Sequence, residues 1–194
     1  MSEQSFLPGF EAAPQPTDRL FFAIYPDAAS AAHIAQLAQQ LRAEQALLGK
    51  PLKPERFHVT LHHLGDYAGL PQDLVAAACG AAASVAAAPF DITFDRAASF
   101  ASTPRNRPFV LRGAGGLAAL AAFQQSLGEA LKKTVLGRWA KPGFTPHVTL
   151  LYDDRSVPEQ AVAPVSWTAH EFVLVHSLIG QTLHVPLARW PLHA

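Results

Sequence analysis

The tetrapeptide His-Val-Thr-Leu occurs twice, as His58-Val59-Thr60-Leu61 and as His147-Val148-Thr149-Leu150. Each copy is preceded by the same order of elements. Arg19 to Tyr25 (RLFFAIY) reads as a central strand, and Pro26-Asp27 opens a helix with Asp27 as its cap. Ile34, Leu37, Leu41 and Leu48 keep helical spacing, Gly49 and Pro51 stop the helix, and Phe57 to His63 carries the first motif. The order returns with a strand over 107–113 (RPFVLRG) and a helix over 116–136, with Leu120, Phe123, Leu127 and Leu131 inward. Pro146 to Tyr152 then carries the second motif. Strand–helix–motif strand at 19–63 and again at 107–152 predicts an internally duplicated protein whose halves face each other. The two motif strands then lie side by side across a pseudo-twofold axis.

Successive side chains of a strand point to opposite faces. His58 and Thr60 therefore share one face, as do His147 and Thr149, with Val59, Leu61, Val148 and Leu150 behind them. His62 falls on the His58 face if the strand stays regular, either supporting that site or simply exposed. Phe21 and Phe22 straddle the first strand, one toward the core and one toward the groove. An alanine-rich helix is expected over 71–88, with Leu74, Ala78, Ala82 and Val85 on one stripe. A strand at 91–100, a turn at 102–107 and two final strands near 168–178 and 182–190 complete the reading. Residues 1–18, with Pro8, Gly9, Pro14 and Pro16, read as a flexible tail before a single bilobed domain over 19–194.

A chain of 194 residues with 49% hydrophobic and 15% charged residues is built to bury a core. Its 15 basic and 15 acidic side chains cancel. A protein that grips long nucleic acid through phosphates needs a basic surplus, so a nucleic-acid substrate here is small or held at an end. The single cysteine, Cys79, forms no intrachain disulfide and reads as a small core residue in a reducing compartment. The N-terminus lacks the pattern of a signal peptide, and the apolar run 74–88 is shorter than the roughly 20 residues that span a bilayer. The expectation is a cytoplasmic monomer with no membrane and no obligate protein partner. His33, His170, His176, His184 and His193 read as structural or surface residues. His58, His62 and His63 have no cysteine or carboxylate at ligand spacing, so no metal is expected.

A His–Thr pair presented twice equips a groove for proton transfer at a phosphate. Two imidazoles, with an unperturbed pKa of about 6.5, move protons near neutral pH, and two hydroxyls hold phosphoryl oxygens.

The paired His-x-Thr-Leu motifs, the opening Arg-Leu-Phe-Phe-Ala-Ile, the Phe144-Thr145-Pro146-His147 lead-in and the closing Ala188-Arg189-Trp190-Pro191-Leu192 resemble the LigT-like branch of the 2H phosphoesterases. Within it the chain is similar to the RNA 2′,3′-cyclic phosphodiesterases, also called 2′-5′ RNA ligases, from about residue 19 to 192. The resemblance implies a bilobed α+β fold with antiparallel sheets around a central cleft and helices outside. It implies metal-independent hydrolysis of a terminal 2′,3′-cyclic phosphate to a 2′-phosphate without cofactors, with reversible 2′-5′ ligation beside it. The partners it implies are RNA 3′ ends or small cyclic nucleotides. Small cyclic nucleotides, 2′,5′-oligonucleotides and a binding protein with weakened catalysis stand as the alternatives. Carried over by position, His58 protonates the leaving oxygen, His147 deprotonates water, and Thr60 and Thr149 bind phosphate oxygens. Phe22 (or Phe21), Phe144 and Tyr152 are the substrate-contacting candidates. Many bacterial members carry a phosphate-gripping arginine where Tyr152 stands, so the resemblance implies either a weaker hold on phosphate or a substitute among Arg105, Arg107 and Arg155.

Overall fold

Eight strands join in antiparallel pairs into one sheet in the computed structural model, which describes residues 14–101 and 105–193. Most of the expected tail and residues 102–104 of the expected turn lie outside the described residues. In chain order the elements are β1 (Asp18–Ile24), α1 (Ala28–Glu44), β2 (Val59–Tyr67), α2 (Gln72–Ala83), β3 (Phe90–Ser99), β4 (Arg107–Arg112), α3 (Ala118–Lys132), β5 (His147–Asp153), β6 (Gln160–Ala169), β7 (Glu171–Leu178) and β8 (Leu183–Pro191). Across the sheet they stand in the order β6-β3-β4-β5-β2-β1-β7-β8. The two motif strands are thus the central pair, and β1-α1-β2 and β4-α3-β5 are the two copies read from the sequence. The halves meet through the antiparallel pair Val59–Val148.

One face of the sheet carries the main core. Leu20, Phe22 and Ile24 of β1 meet Ile34, Leu37 and Leu41 of α1, Ala78 of α2, and Leu120, Phe123, Leu127 and Leu131 of α3 there. Burying each of the larger side chains contributes about 1.5–3 kcal/mol. Helix α1 packs on β5 and β6, strands of the other half, while α3 reaches β2. The halves are therefore locked by exchanged helices more than by sheet hydrogen bonds. The opposite face holds a small cluster of Phe21, Ala23, Val173 and Val175, and it is the groove side. No helix of the described residues is long and apolar enough to cross a membrane.

Several boundaries differ from the sequence reading for local reasons. Asp18, placed in the tail, is the buried first residue of β1 and accepts a 2.5 Å hydrogen bond from the His176 ring. Asp27 caps α1 as expected, accepting from the Ser30 amide at 2.8 Å. The helix ends at Glu44, however, and Ala46 turns the chain at φ 50°. That turn buries Leu47 and leaves Leu48 85% exposed, off the expected stripe. Val85 likewise falls beyond α2, which stops at Ala83. The segment read as one strand at 168–178 is split at His170, and β6 before it was unforeseen. Its first half is exposed and contains Pro164, features tolerated because β6 is an edge strand.

The loop after α1 is tied to β5 by one carboxylate. Buried Asp153 accepts from the backbone amides of Leu48 (2.6 Å), Gly49 (2.7 Å) and Arg155 (2.8 Å). Burial pushes its pKa up, but the three amides and the Arg155 charge outweigh burial and hold it below the usual carboxylate range. Asp153→Ala strands those donors and should destabilise the fold by about 2–4 kcal/mol in urea unfolding. Because the folded pKa is depressed, this contribution is present above the unfolded value of about 3.9 and is lost as pH falls through the folded one. A variant as stable as the parent at pH 7 would refute the assignment.

Candidate active site

The register at the centre of the sheet brings the two motifs into crossed contact. Antiparallel geometry extends the Val59–Val148 pairing by one residue each way. His58 then stands across from Thr149, and Thr60 across from His147. All four side chains are half-buried on the groove side, and Thr60 and His147 line one cavity of about 420 Å³.

Each motif is followed by the same irregularity. On β2, Ala23 pairs with Thr60 but Phe22 pairs with His62, so Leu61 is an extra residue. On β5, Val110 pairs with Thr149 but Phe109 pairs with Leu151, so Leu150 is extra. A bulge of this kind shifts the alternation by one. Leu61 and His62 are consequently both buried, as are Leu150 and Leu151. The next exposed residues are His63 and Tyr152, which occupy equivalent places in the two halves.

This corrects the reading of His62. It lies on the helix side, 5% exposed, with its Nε2 donating to the Gln124 carbonyl of α3 at 2.9 Å. Gly128 makes room for it, since a Cβ there would stand 3.2 Å from the ring. Phe22 is also corrected. It is fully buried against Phe172 and Trp190, and Phe21 is the ring on the groove side, 5.1 Å from His58. The register fixes that choice, because Phe21 shares its face with Ala23 and therefore with Thr60. Phe144 is half-buried in the wall of the cavity that holds Thr60 and His147. Tyr152 is exposed.

Both imidazoles are held in the same way. The Nδ1–H of His58 donates to the Arg56 carbonyl at 2.7 Å, and that of His147 to the Thr145 carbonyl at 2.8 Å. A carbonyl only accepts, so the proton sits on Nδ1 and the neutral Nε2 is left with its lone pair for the groove. Burial drives the His58 pKa down to about 4, against the Arg56 carbonyl, with the charges of His147 and Arg56 adding to the fall. The influence of His147 on His58 places the two rings in one electrostatic environment. Burial also lowers His147, opposed by its Thr145 bond and helped by Arg112.

The flanking groups differ between halves, and several were not anticipated. His184 of β8 packs edge-on to His58 at 5.2 Å and accepts from Arg56 Nη2 at 3.3 Å. Burial and the neighbouring His58 bring its pKa to about 4 as well. Phe100 stacks edge-on to His147 at 4.8 Å. Arg112, opposite His147 on β4 and paired with Glu159 at 3.3 Å, is the cation beside that ring. Alternation from Val110 points to Arg112 in the sequence, whereas His184 carries no local signal. Arg107 and Arg155, named as substitutes for the arginine absent at 152, are turned to backbone carbonyls of Asp154 and of Gln45 and Ala46. Arg105 is exposed. Among the described residues no three His, Cys, Asp or Glu side chains gather as a metal site.

The model of the 2′-5′ RNA ligase superfamily matches residues 26–181. The structure is similar to that of Escherichia coli LigT complexed with 3′-AMP, at 28% identity and a TM-score of 0.68, over 93% of this chain and 100% of that one. It is similar to LigT complexed with phosphate at 25% identity, TM-score 0.66 and the same coverage. A Thermus thermophilus protein shares the fold at 20% identity and TM-score 0.71, over 90% of this chain and 97% of that one. None of the curated proteins compared matches the chain in sequence.

The ring geometry has a direct spectroscopic consequence. Nitrogen-15 spectra of the ligand-free protein should show His58 and His147 as Nδ1–H tautomers, with His58 titrating near pH 4 and His147 below 6.5. A His58 midpoint at or above 6.5 would contradict the desolvated environment.

Proposed function

The chain belongs to the 2′-5′ RNA ligase superfamily, and from that membership and the crossed His–Thr pairs we propose that it opens terminal 2′,3′-cyclic phosphates of RNA to 2′-phosphates. The observation that carries the reading is the twin arrangement of two Nδ1-anchored imidazoles, each facing the other motif's threonine. In the reaction, His147 Nε2 takes a proton from water as the water oxygen bonds to phosphorus. The bond from phosphorus to the ribose 3′-oxygen breaks, and His58 supplies the proton that oxygen needs. Thr60 and Thr149 donate to the non-bridging oxygens, and Arg112 offsets their charge. A strained cyclic diester needs no metal for this chemistry. The same step with a ribose 5′-hydroxyl in place of water corresponds to 2′-5′ ligation, and its reverse to cleavage of the 2′-5′ bond back to the cyclic phosphate.

Two ring states are required at once, one neutral and one protonated. In the empty groove both are pushed toward neutral, so the singly protonated pair grows as pH falls. An anionic phosphate between the rings favours the imidazolium and moves the balance back. Small cyclic nucleotides are the second reading. The cancelled net charge favours them, because it gives no long electrostatic track for RNA.

Incubation with an oligonucleotide ending in a 2′,3′-cyclic phosphate should yield a 2′-phosphate, with chelator present or absent. His58→Ala and His147→Ala should each reduce turnover by at least about 10²-fold, and Thr60→Ala or Thr149→Ala by roughly 10- to 1000-fold. A 3′-phosphate product, or activity that needs added metal, would defeat the proposal.

The pH dependence follows from the free-protein pKa values. The kcat/KM profile should decline as pH rises above about 6.5, and the kcat profile should be displaced to higher pH by the bound phosphate. A kcat/KM that climbs steadily from about pH 6 to 8 would show that the depressed histidines are not the groups in use.

A further inference from the structure

A second cavity, of about 740 Å³, abuts the one that holds Thr60 and His147 and is larger than it. It lies between the outer side of α3 and the loop at 140–146. His62, Gln124, Lys141, Pro142 and Phe144 belong to the walls of both. The two volumes each fall within the roughly 300–1,000 Å³ of a pocket for one small ligand. The room in the larger one comes from Gly115, Ala118 and Ala121, whose side chains are too short to fill it, while Gln125 and Glu129 supply amide and carboxylate groups along its helix wall. Nothing in the proposed hydrolysis uses this space.

The residues at the boundary decide what would occupy it. Lys141 is exposed, with its ammonium 5.6 Å from the Trp139 ring, and it lines both cavities. A positive charge at the junction of two nucleotide-sized spaces suits a phosphodiester that joins their occupants. Phe144, also shared, offers an aromatic surface for a base, a contact that tolerates any base identity. The cancelled net charge argues against a longer track beyond these two spaces.

We propose that the larger cavity receives the penultimate nucleotide, so that the protein recognises a two-nucleotide RNA 3′ end whose internal phosphodiester passes Lys141. This footprint rests on the reading of the smaller cavity as the cyclic-phosphate site. It makes a short oligonucleotide end, not a free mononucleotide, the preferred substrate, and it does not depend on base sequence.

The test compares a mononucleoside 2′,3′-cyclic phosphate with a dinucleotide ending in the same group, neither carrying a 5′-phosphate. The full chain should favour the dinucleotide by about 10- to 100-fold in kcat/KM, the size of one stacked base. Ala121→Trp, an exposed α3 position that lines only the larger cavity, should erase most of that preference and leave the mononucleotide rate unchanged. Gln125→Trp serves the same purpose if Ala121→Trp does not fold. Calorimetry with the matching 2′-phosphate mono- and dinucleotides reads the footprint without turnover. Tighter dinucleotide binding that Ala121→Trp abolishes supports the footprint even if hydrolysis is absent, in which case only the proposed reaction falls. Equal binding of the two lengths, or equal damage to both by Ala121→Trp, overturns it.

Discussion

The apposition of β2 and β5 is the constraint from which the rest of this structure follows. Two strands of the same design run antiparallel and meet at Val59 and Val148. Only an antiparallel meeting crosses the motifs, so that a histidine from one half faces a threonine from the other. A parallel pairing would set histidine beside histidine and leave the hydroxyls together. Because few sheet hydrogen bonds hold this seam, its geometry is maintained from behind. Helix α1 of the first copy packs on β5 and β6, and α3 of the second reaches β2. The duplication therefore supplies both the crossed groove and the clamp that keeps it in register.

The duplicated order of elements, the two motif strands and most of the helical core were legible because each rests on short-range periodicity. What failed depended on interactions beyond that range. The bulges at Leu61 and Leu150 are invisible to alternation alone, and they carry His62 to the helix side. Phe21 and Phe22 are chemically identical, and only the pairing of Ala23 with Thr60 says which one faces the groove. Leu48 kept perfect helical spacing but followed a helix that had already ended, at a turn that Ala46 makes with positive φ. Strand β6 has the exposed, proline-containing composition of a loop, and an edge position is what makes it a strand. His184 arrives from a strand far along the chain and could be found only through the tertiary fold.

The bulges also explain how a strand can serve two masters. Before the bulge, alternation presents histidine and threonine to the groove while valine anchors the core. After it, two consecutive residues are buried, Leu61 and His62 on β2 and Leu150 and Leu151 on β5. Burial of the two imidazoles in turn lowers their proton affinity.

Symmetry of backbone does not extend to the surroundings of the two rings, and a directional reaction requires that it should not. His58 sits against Phe21 and His184, with Arg56 behind it. His147 has Phe100 on one side and Arg112 across the neighbouring strand. The Arg112 guanidinium disfavours the His147 imidazolium, and Arg56 does the same at His58. The His58 pKa is depressed to about 4, with burial the leading cause. Two equivalent histidines thus stand in different surroundings, built from neighbours that the duplication did not copy.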